Sequence, residues 1–172
     1  PRRTEDEVRA ECPWATLGRK GGRKPNIITS LELESSIMEH NNERFQAKYK
    51  LIEENEVRFE EIQTEDADYI LVAFGSSARI CQKAVEQARA EGLRVGLLRP
   101  ITLWPFPKAA IQKHCSHAKG FLVAELNAGQ MVEDVRLAVN GQIPVEHYGR
   151  MGGMLFSPSE ILENLKKLLI EK

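Results

Sequence analysis

Four short stretches of this chain carry the residue types that could do chemistry. The first is His114-Cys115-Ser116-His117. Two imidazoles and a thiol within four positions could hold Zn²⁺, but a structural zinc wants four ligands and no second group lies in sequence reach. The other reading is a helix C-terminus decorated with histidine, which the helix dipole favours. The second is Glu125, which closes an apolar run. It could act as an acid or base, or as a carboxylate that orients the loop after it. The third is Arg99 in Leu98–Pro107, L-R-P-I-T-L-W-P-F-P. Arg99 could grip a substrate carboxylate bidentately or form an ion pair with a neighbouring subunit. The fourth is Gly149-Arg150-Met151-Gly152-Gly153. Its glycines allow close backbone approach by a ligand or by another chain, and the second is favoured. No catalytic residue and no metal ligand is assigned.

The elements that must position these residues follow from periodicity. Each proline in Leu98–Pro107 fixes φ and removes a donor, and each biases its predecessor toward extended backbone. Arg99, Trp104 and Phe106 should therefore sit on a stiff loop leaving a strand, with Pro107 opening the next helix. Such a loop suits presentation to a partner, or packing of Trp104 and Phe106 over the sheet end. From Asp68 onward, apolar runs at Tyr69–Phe74, Leu93–Leu98, Phe121–Glu125 and Ile143–Tyr148 alternate with helical spacings. The first helix should be capped by Ser76 or Ser77 and stopped by Gly92. Asn127 or Gly129 should open a later one, and Gly141 end it. Ser157-Pro158-Ser159-Glu160 spells a capping box with proline in the first turn. Strands apolar on both faces, separated by helices, mean a parallel sheet covered on two sides.

Ahead of this lies a different kind of sequence. Pro1–Asn26 is not domain-like, and Gly18–Pro25 is basic and glycine-rich, which reads as a solvated linker. Ser30–Asn55 has a sparse stripe (Leu33, Ile37, Phe45, Tyr49, Ile52) at helical spacing. Val57–Ile62 alternates as a short edge strand. The expected division is an arm over 1–56 and an α/β domain over 57–172.

Composition bounds the class. A net charge of −1, with 28% charged and 42% hydrophobic residues, reads as soluble and globular, with no nucleic-acid partner. No apolar run approaches the roughly 18 residues of a membrane span, and the charged N-terminus is no signal peptide. Cys12, Cys81 and Cys115 are odd in number and scattered, so neither a disulfide framework nor a CxxC site is expected. That points to the cytoplasm. Opening on Pro1 suggests a piece of a longer chain.

Taken together, these motifs resemble a known family. Asp68–Lys172 is similar to the transketolase C-terminal-type domain of thiamine-diphosphate enzymes. Ala73–Arg79, Leu98–Pro107, and Val123–Asn127 with Gly129-Gln130-Met131 resemble the α subunit of 2-oxoacid:ferredoxin oxidoreductases. The 2-oxoisovalerate type is nearest and the 2-oxoglutarate type next. Pro13-Trp14, Lys24-Pro25-Asn26 and the acidic helix resemble that subunit's inter-domain connection. The likeness covers only the C-terminal half of the family's usual subunit.

The resemblance implies a three-layer α/β/α fold around a five-stranded mixed sheet of order 1-3-2-4-5, with strand 1 antiparallel. Ligands of open α/β sheets tend to bind where connections diverge, here between strands 2 and 4. The candidate anion crevice is thus Gly75, Ser76 and Ser77 facing Glu125 and Asn127, with free helix amides on the serine side. Candidate interface residues are Arg99, Thr102, Trp104, Phe106, Arg150 and Gly152. The implied reaction is oxidative decarboxylation of a 2-oxoacid to an acyl-CoA, with electrons passed to ferredoxin. Thiamine diphosphate, Mg²⁺ and Fe–S clusters are expected in a missing domain or in β, γ and ferredoxin-like δ partners, because three scattered cysteines cannot ligate a cluster. The chain alone is expected to be inactive and to act in assembly. The alternative is a module binding an anion such as the phosphates of CoA.

Overall fold

A computed structural model describes residues 3–12 and 29–171 of the chain. The basic stretch at 18–25 and the Pro13-Trp14 pair lie outside the described residues. Contacts divide the chain into two units, Pro1–Phe45 and Gln46–Lys172.

In the first unit the stretch read as not domain-like contains a helix, α1 (Glu5–Glu11). Thr4 caps it by accepting the Glu7 N–H, and Glu7 reaches back to the Thr4 N–H at 2.6 Å. This reciprocal arrangement satisfies two orphan donors of the first turn. The longer helix α2 runs Ser35–Asn55 and starts five residues later than its apolar stripe suggests. Before it, the Thr29 hydroxyl takes the Leu31 N–H and the Glu32 carboxylate takes the Glu34 N–H. Such local bonds compete with helix formation. No residue of α2 is buried.

The second unit holds the sheet. Its elements are β1 (Phe59–Ile62), β2 (Tyr69–Val72), α3 (Gly75–Ala90), β3 (Val95–Pro100), α4 (Lys108–His114), β4 (Gly120–Glu125), α5 (Met131–Val139), β5 (Val145–Gly149) and α6 (Pro158–Leu165). A wider π-type helical turn, Lys166–Ile170, continues α6. The strand order is β1-β3-β2-β4-β5. β1 pairs antiparallel with β3, Phe59 opposite Pro100, and the other pairs are parallel. This is the order and polarity that the resemblance implies.

Alternation along the strands sends side chains into two cores. Ile70, Val72, Leu98, Phe121 and Val123 pack under α4 and α5. Leu71, Leu97, Leu122 and Ala124 pack under α3 and α6. The central strands are apolar on both faces because helices cover both. Each buried leucine or isoleucine contributes about 1.5–3 kcal/mol. At Gly96 of β3 a Cβ would lie 2.6 Å from the Gln63 carbonyl oxygen and 2.8 Å from Thr64 Cα. Only glycine lets the 63–64 turn press so closely onto the strand.

Several helix starts differ from the sequence reading. α3 is preceded by Phe74 in extended backbone, with no side-chain cap. Ser76 and Ser77 fall inside the first turn, too late in the chain to cap it. Pro107 is the N-cap of α4, not its first residue. α5 begins at Met131 after Gln130, beyond both Asn127 and Gly129. β1 begins at Phe59, two residues after Val57, and β5 runs from Val145 as a half-buried edge. The Ser157/Glu160 capping box is present as written, with Pro158 leading α6.

Candidate functional site

The ends of the parallel strands define two edges of opposite chemistry. At the amino edge, loops entering the sheet are tied by ion pairs. Asp66 pairs bidentately with Arg89 at 2.7 and 3.0 Å. Asp68 pairs with Arg94 at 2.8 and 3.0 Å, and Lys119 lies 3.4 Å from the same carboxylate. Hydrogen bonds from Arg94 chiefly hold the Asp68 carboxyl below the usual carboxylate range, with Lys119 adding to it. Those from Arg89 do the same for Asp66.

The carboxyl edge carries exposed apolar side chains. Ile101, Leu103 and Trp104 are exposed after β3, Leu126 after β4, and Met151, Met154 and Leu155 after β5. Phe59, paired with Pro100, adds to the same edge. Across 57–171, Leu137 and Ile170 are the remaining exposed large apolar side chains.

The loop after β3 is held from below. Ile101 and Thr102 N–H both donate to the Arg58 carbonyl, at 2.9 and 3.1 Å. The Arg58 N–H donates to Thr102 Oγ1 at 3.0 Å, and the Thr102 hydroxyl donates to the Pro105 carbonyl at 2.9 Å. The Trp104–Pro105 peptide is cis. Trp104 stays 54% exposed, with its ring edge-on to Tyr49 at 5.5 Å, whereas Phe106 is 8% exposed and belongs to the core under α4 and α5. Arg99 Nη1 bonds Glu60 at 2.9 Å within the chain.

Glu125 is fully buried. Its carboxylate accepts the N–H groups of Gln130 at 3.2 Å, Met131 at 2.8 Å and Val132 at 3.1 Å. Asn127 Nδ2 donates to it at 3.2 Å, while Asn127 Oδ1 takes the Gly129 N–H. The charge therefore sits on the N-terminus of α5, where the dipole favours it. His147 Nε2 lies 3.6 Å from Glu125 Oε2. Gly149 makes room for that imidazole, since a Cβ there would come 2.7 Å from His147 Cε1. Across the crevice Ser76 is exposed and Ser77 buried at the uncapped start of α3. Arg150 bonds Glu160 at 2.6 Å, its N–H donates to the Glu125 carbonyl, and Gly152 lies exposed at φ +65°.

The His/Cys cluster is dispersed by other partners. His114 is buried and its Nε2 meets Glu61 of β1 at 2.5 Å. His117 Nε2 meets the Thr64 carbonyl oxygen at 3.1 Å. Cys115 Sγ donates to the Ile111 carbonyl, and Cys81 is buried in the core under α3 and α6. Among the described residues no group of three or more His, Cys, Asp or Glu is arranged to hold a metal. The thiols present do not fit an Fe–S cluster, which needs grouped thiolates. Nor is any described helix long and apolar enough to cross a membrane.

The sheet order and the flanking helices define a transketolase-like class of α/β domain. At the level of fold alone, 66% of the chain superposes on 41% of a split-gene transketolase chain, with a TM-score of 0.56 and 17% identity. A family model described as pyruvate:ferredoxin oxidoreductase core domain II matches residues 67–161, and the chain belongs to that family. Its sequence is 44% identical over 162 residues to the ketoisovalerate oxidoreductase subunit VorB of Methanothermobacter thermautotrophicus, covering 94% of this chain and 46% of that one. The chain thus spans about half the length of the curated relatives it matches most fully. Its structure also matches a 2-oxoglutarate:ferredoxin oxidoreductase from Magnetococcus marinus, solved with 2-oxoglutarate, coenzyme A and succinyl-CoA bound. There the TM-score is 0.71 and the identity 25%, over 89% of this chain and 28% of that one.

Proposed function

We propose that this chain is the C-terminal part of the α subunit of a 2-oxoacid:ferredoxin oxidoreductase of the branched-chain type, acting in assembly and not itself catalytic. The complex would decarboxylate a 2-oxoacid oxidatively to an acyl-CoA and pass the electrons to ferredoxin. In this reading residues 1–56 form an arm and 57–172 the assembly domain. Thiamine diphosphate, Mg²⁺ and Fe–S clusters are held by other parts of the subunit or by β, γ and ferredoxin-like δ partners, in the cytoplasm. The kinship with VorB supports the branched-chain type.

One observation carries the assembly role. Exposed apolar side chains gather on the carboxyl edge, while the amino edge is closed by ion pairs. Exposed large apolar side chains grouped on one edge suit a surface that another protein covers. The candidate interface residues Arg99, Thr102, Trp104 and Arg150 frame or support this edge, and Phe106 braces it from the core.

The test is recovery of the intact complex from its source cells, followed by reconstitution with Ile101→Ser/Met151→Ser in this chain. Co-purifying subunits with an Fe–S visible spectrum, and weakened association of the variant, are expected. Colour or keto-acid turnover in the chain alone would overturn the reading.

A second reading is favoured by the start of α3, where the Ser76 and Ser77 N–H groups have no side-chain cap. Such amides suit an anion, for example the phosphates of CoA. Calorimetry with CoA separates the two, since the assembly reading expects no heat beyond dilution.

A further inference from the structure

We propose that the groove under the Leu103–Pro107 loop is a docking site for a partner-subunit segment that inserts an apolar side chain and places an arginine beside Trp104. This rests on the assembly reading and names the chemistry of the partner at that same edge.

The groove has a volume of about 470 Å³ and lies within the second unit. Val57, Phe59, Leu103 and Phe106 give it apolar walls. Trp104 lines it while keeping 54% of its surface exposed. Tryptophan in a concave apolar setting is the residue type that most often dominates an interface. The site is pre-formed. Thr102 ties the loop to Arg58 and to the Pro105 carbonyl, and Tyr49 meets the indole edge-on at 5.5 Å. A segment docking here pays little ordering cost on this side.

Charge selects the occupant. Glu53 and Asp134 also line the groove, and neither forms an ion pair with any described residue. Lys108 is the one cation in the lining, so the balance there is negative. Asp66, Asp68, Glu60 and Glu160 of the same unit, by contrast, are each matched to a cation. Two unmatched carboxylates beside an exposed indole call for a cation. A guanidinium satisfies both, because it stacks on the indole face and pairs with carboxylates through its fork.

The experiment uses the complex reconstituted from purified subunits with the full chain, measuring the dissociation constant at low and high salt. Four variants of this chain are compared: Trp104→Ala, Trp104→Phe, the double reversal Glu53→Lys/Asp134→Lys, and Glu65→Lys on the amino edge. Circular dichroism checks the fold of each. Trp104→Ala should weaken association about 30-fold or more, with Trp104→Phe recovering most of it. The double reversal should weaken it about tenfold and flatten its salt dependence, and Glu65→Lys should change nothing. Loss with Trp104→Ala but not with the reversal overturns the cationic partner and leaves the assembly reading standing. No loss in either, while Ile101→Ser/Met151→Ser does dissociate the complex, removes the groove from the interface. If instead Trp104→Ala changes self-association of the free chain in sedimentation and leaves the complex intact, the occupant is a second copy and the proposal fails.

Discussion

The carboxylate of Glu125, the last residue of β4, accepts the N–H of Met131, the first residue of α5, at 2.8 Å. Two further amides and one side-chain amide converge on the same group. The buried carboxylate thus takes the place a phosphate or substrate anion would occupy at α5, and it leaves α3 as the helix of the crevice with open amides. Replacing Glu125 by Ala strands these donors in the interior. A loss of about 2–4 kcal/mol is expected from removing a charged acceptor and leaving its donors unsatisfied. The urea midpoint reads this directly, and Glu125→Gln, which sets its own NH₂ against backbone N–H groups, should recover little.

His114 and Glu61 make a second buried junction, binding α4 to the antiparallel edge strand. His114 is wholly enclosed and its Nδ1 has no partner among the described residues, so Nε2–Glu61 is the one polar contact of its ring. Glu61→Ala should cost about 1–3 kcal/mol. Hydrogen exchange should quicken first in β1, while the β2–β4 ladder keeps its protection.

Acid should loosen the amino edge. The folded-state pKa values of Asp66 and Asp68 lie below their ordinary value, chiefly through hydrogen bonds from Arg89 and Arg94. A carboxyl lowered by folding contributes stability that is present above its unfolded value of about 3.9 and disappears as pH falls through the folded value. Asp68→Asn should therefore lower stability at neutral pH and flatten its decline below about pH 4, as thermal melts at stepped pH would record. An unchanged slope would remove these pairs from the acid response.

The thiol of Cys81 is pushed up to about 12 by burial, and that of Cys115 is raised by the same cause. Only the thiolate reacts. Iodoacetamide at neutral pH should leave Cys81 unmodified in the native chain and label it after denaturation, a difference that peptide mass spectrometry resolves.

Gly96→Ala tests the close approach of the 63–64 turn to β3. A methyl there meets backbone, which cannot rotate away. Overpacking of this kind costs about 1–3 kcal/mol. The midpoint of denaturation should drop accordingly.

Much of the architecture was legible because it depends on residue patterns a few positions long. Apolar runs at Tyr69–Phe74 and Phe121–Glu125 have the length of strands, and helices cover both faces of the strands they form. The Ser157/Glu160 box announced α6. The same signature, Thr4-x-x-Glu7, was equally present ahead of α1, but Val8 and Ala10 are too few to set a helical period behind it. Capping by Ser76 or Ser77 failed because the strand ends earlier than its apolar run suggests, which shifts the helix start to Gly75.

Residue types and spacing, by themselves, determined that a parallel sheet wrapped by helices would form and that a stiff proline-bearing loop would leave one of its strands. They also marked Glu125 as the carboxylate at a strand end. Only the tertiary structure decided which amides that carboxylate would meet, that Glu61 would meet His114 from 53 positions away, and that Val57, Trp104 and Asp134 would line one groove. The physical reason is range. Helix and strand periodicity is set by neighbours within about one turn or two residues, whereas a buried charge or a concave surface depends on strand order, which brings remote segments together.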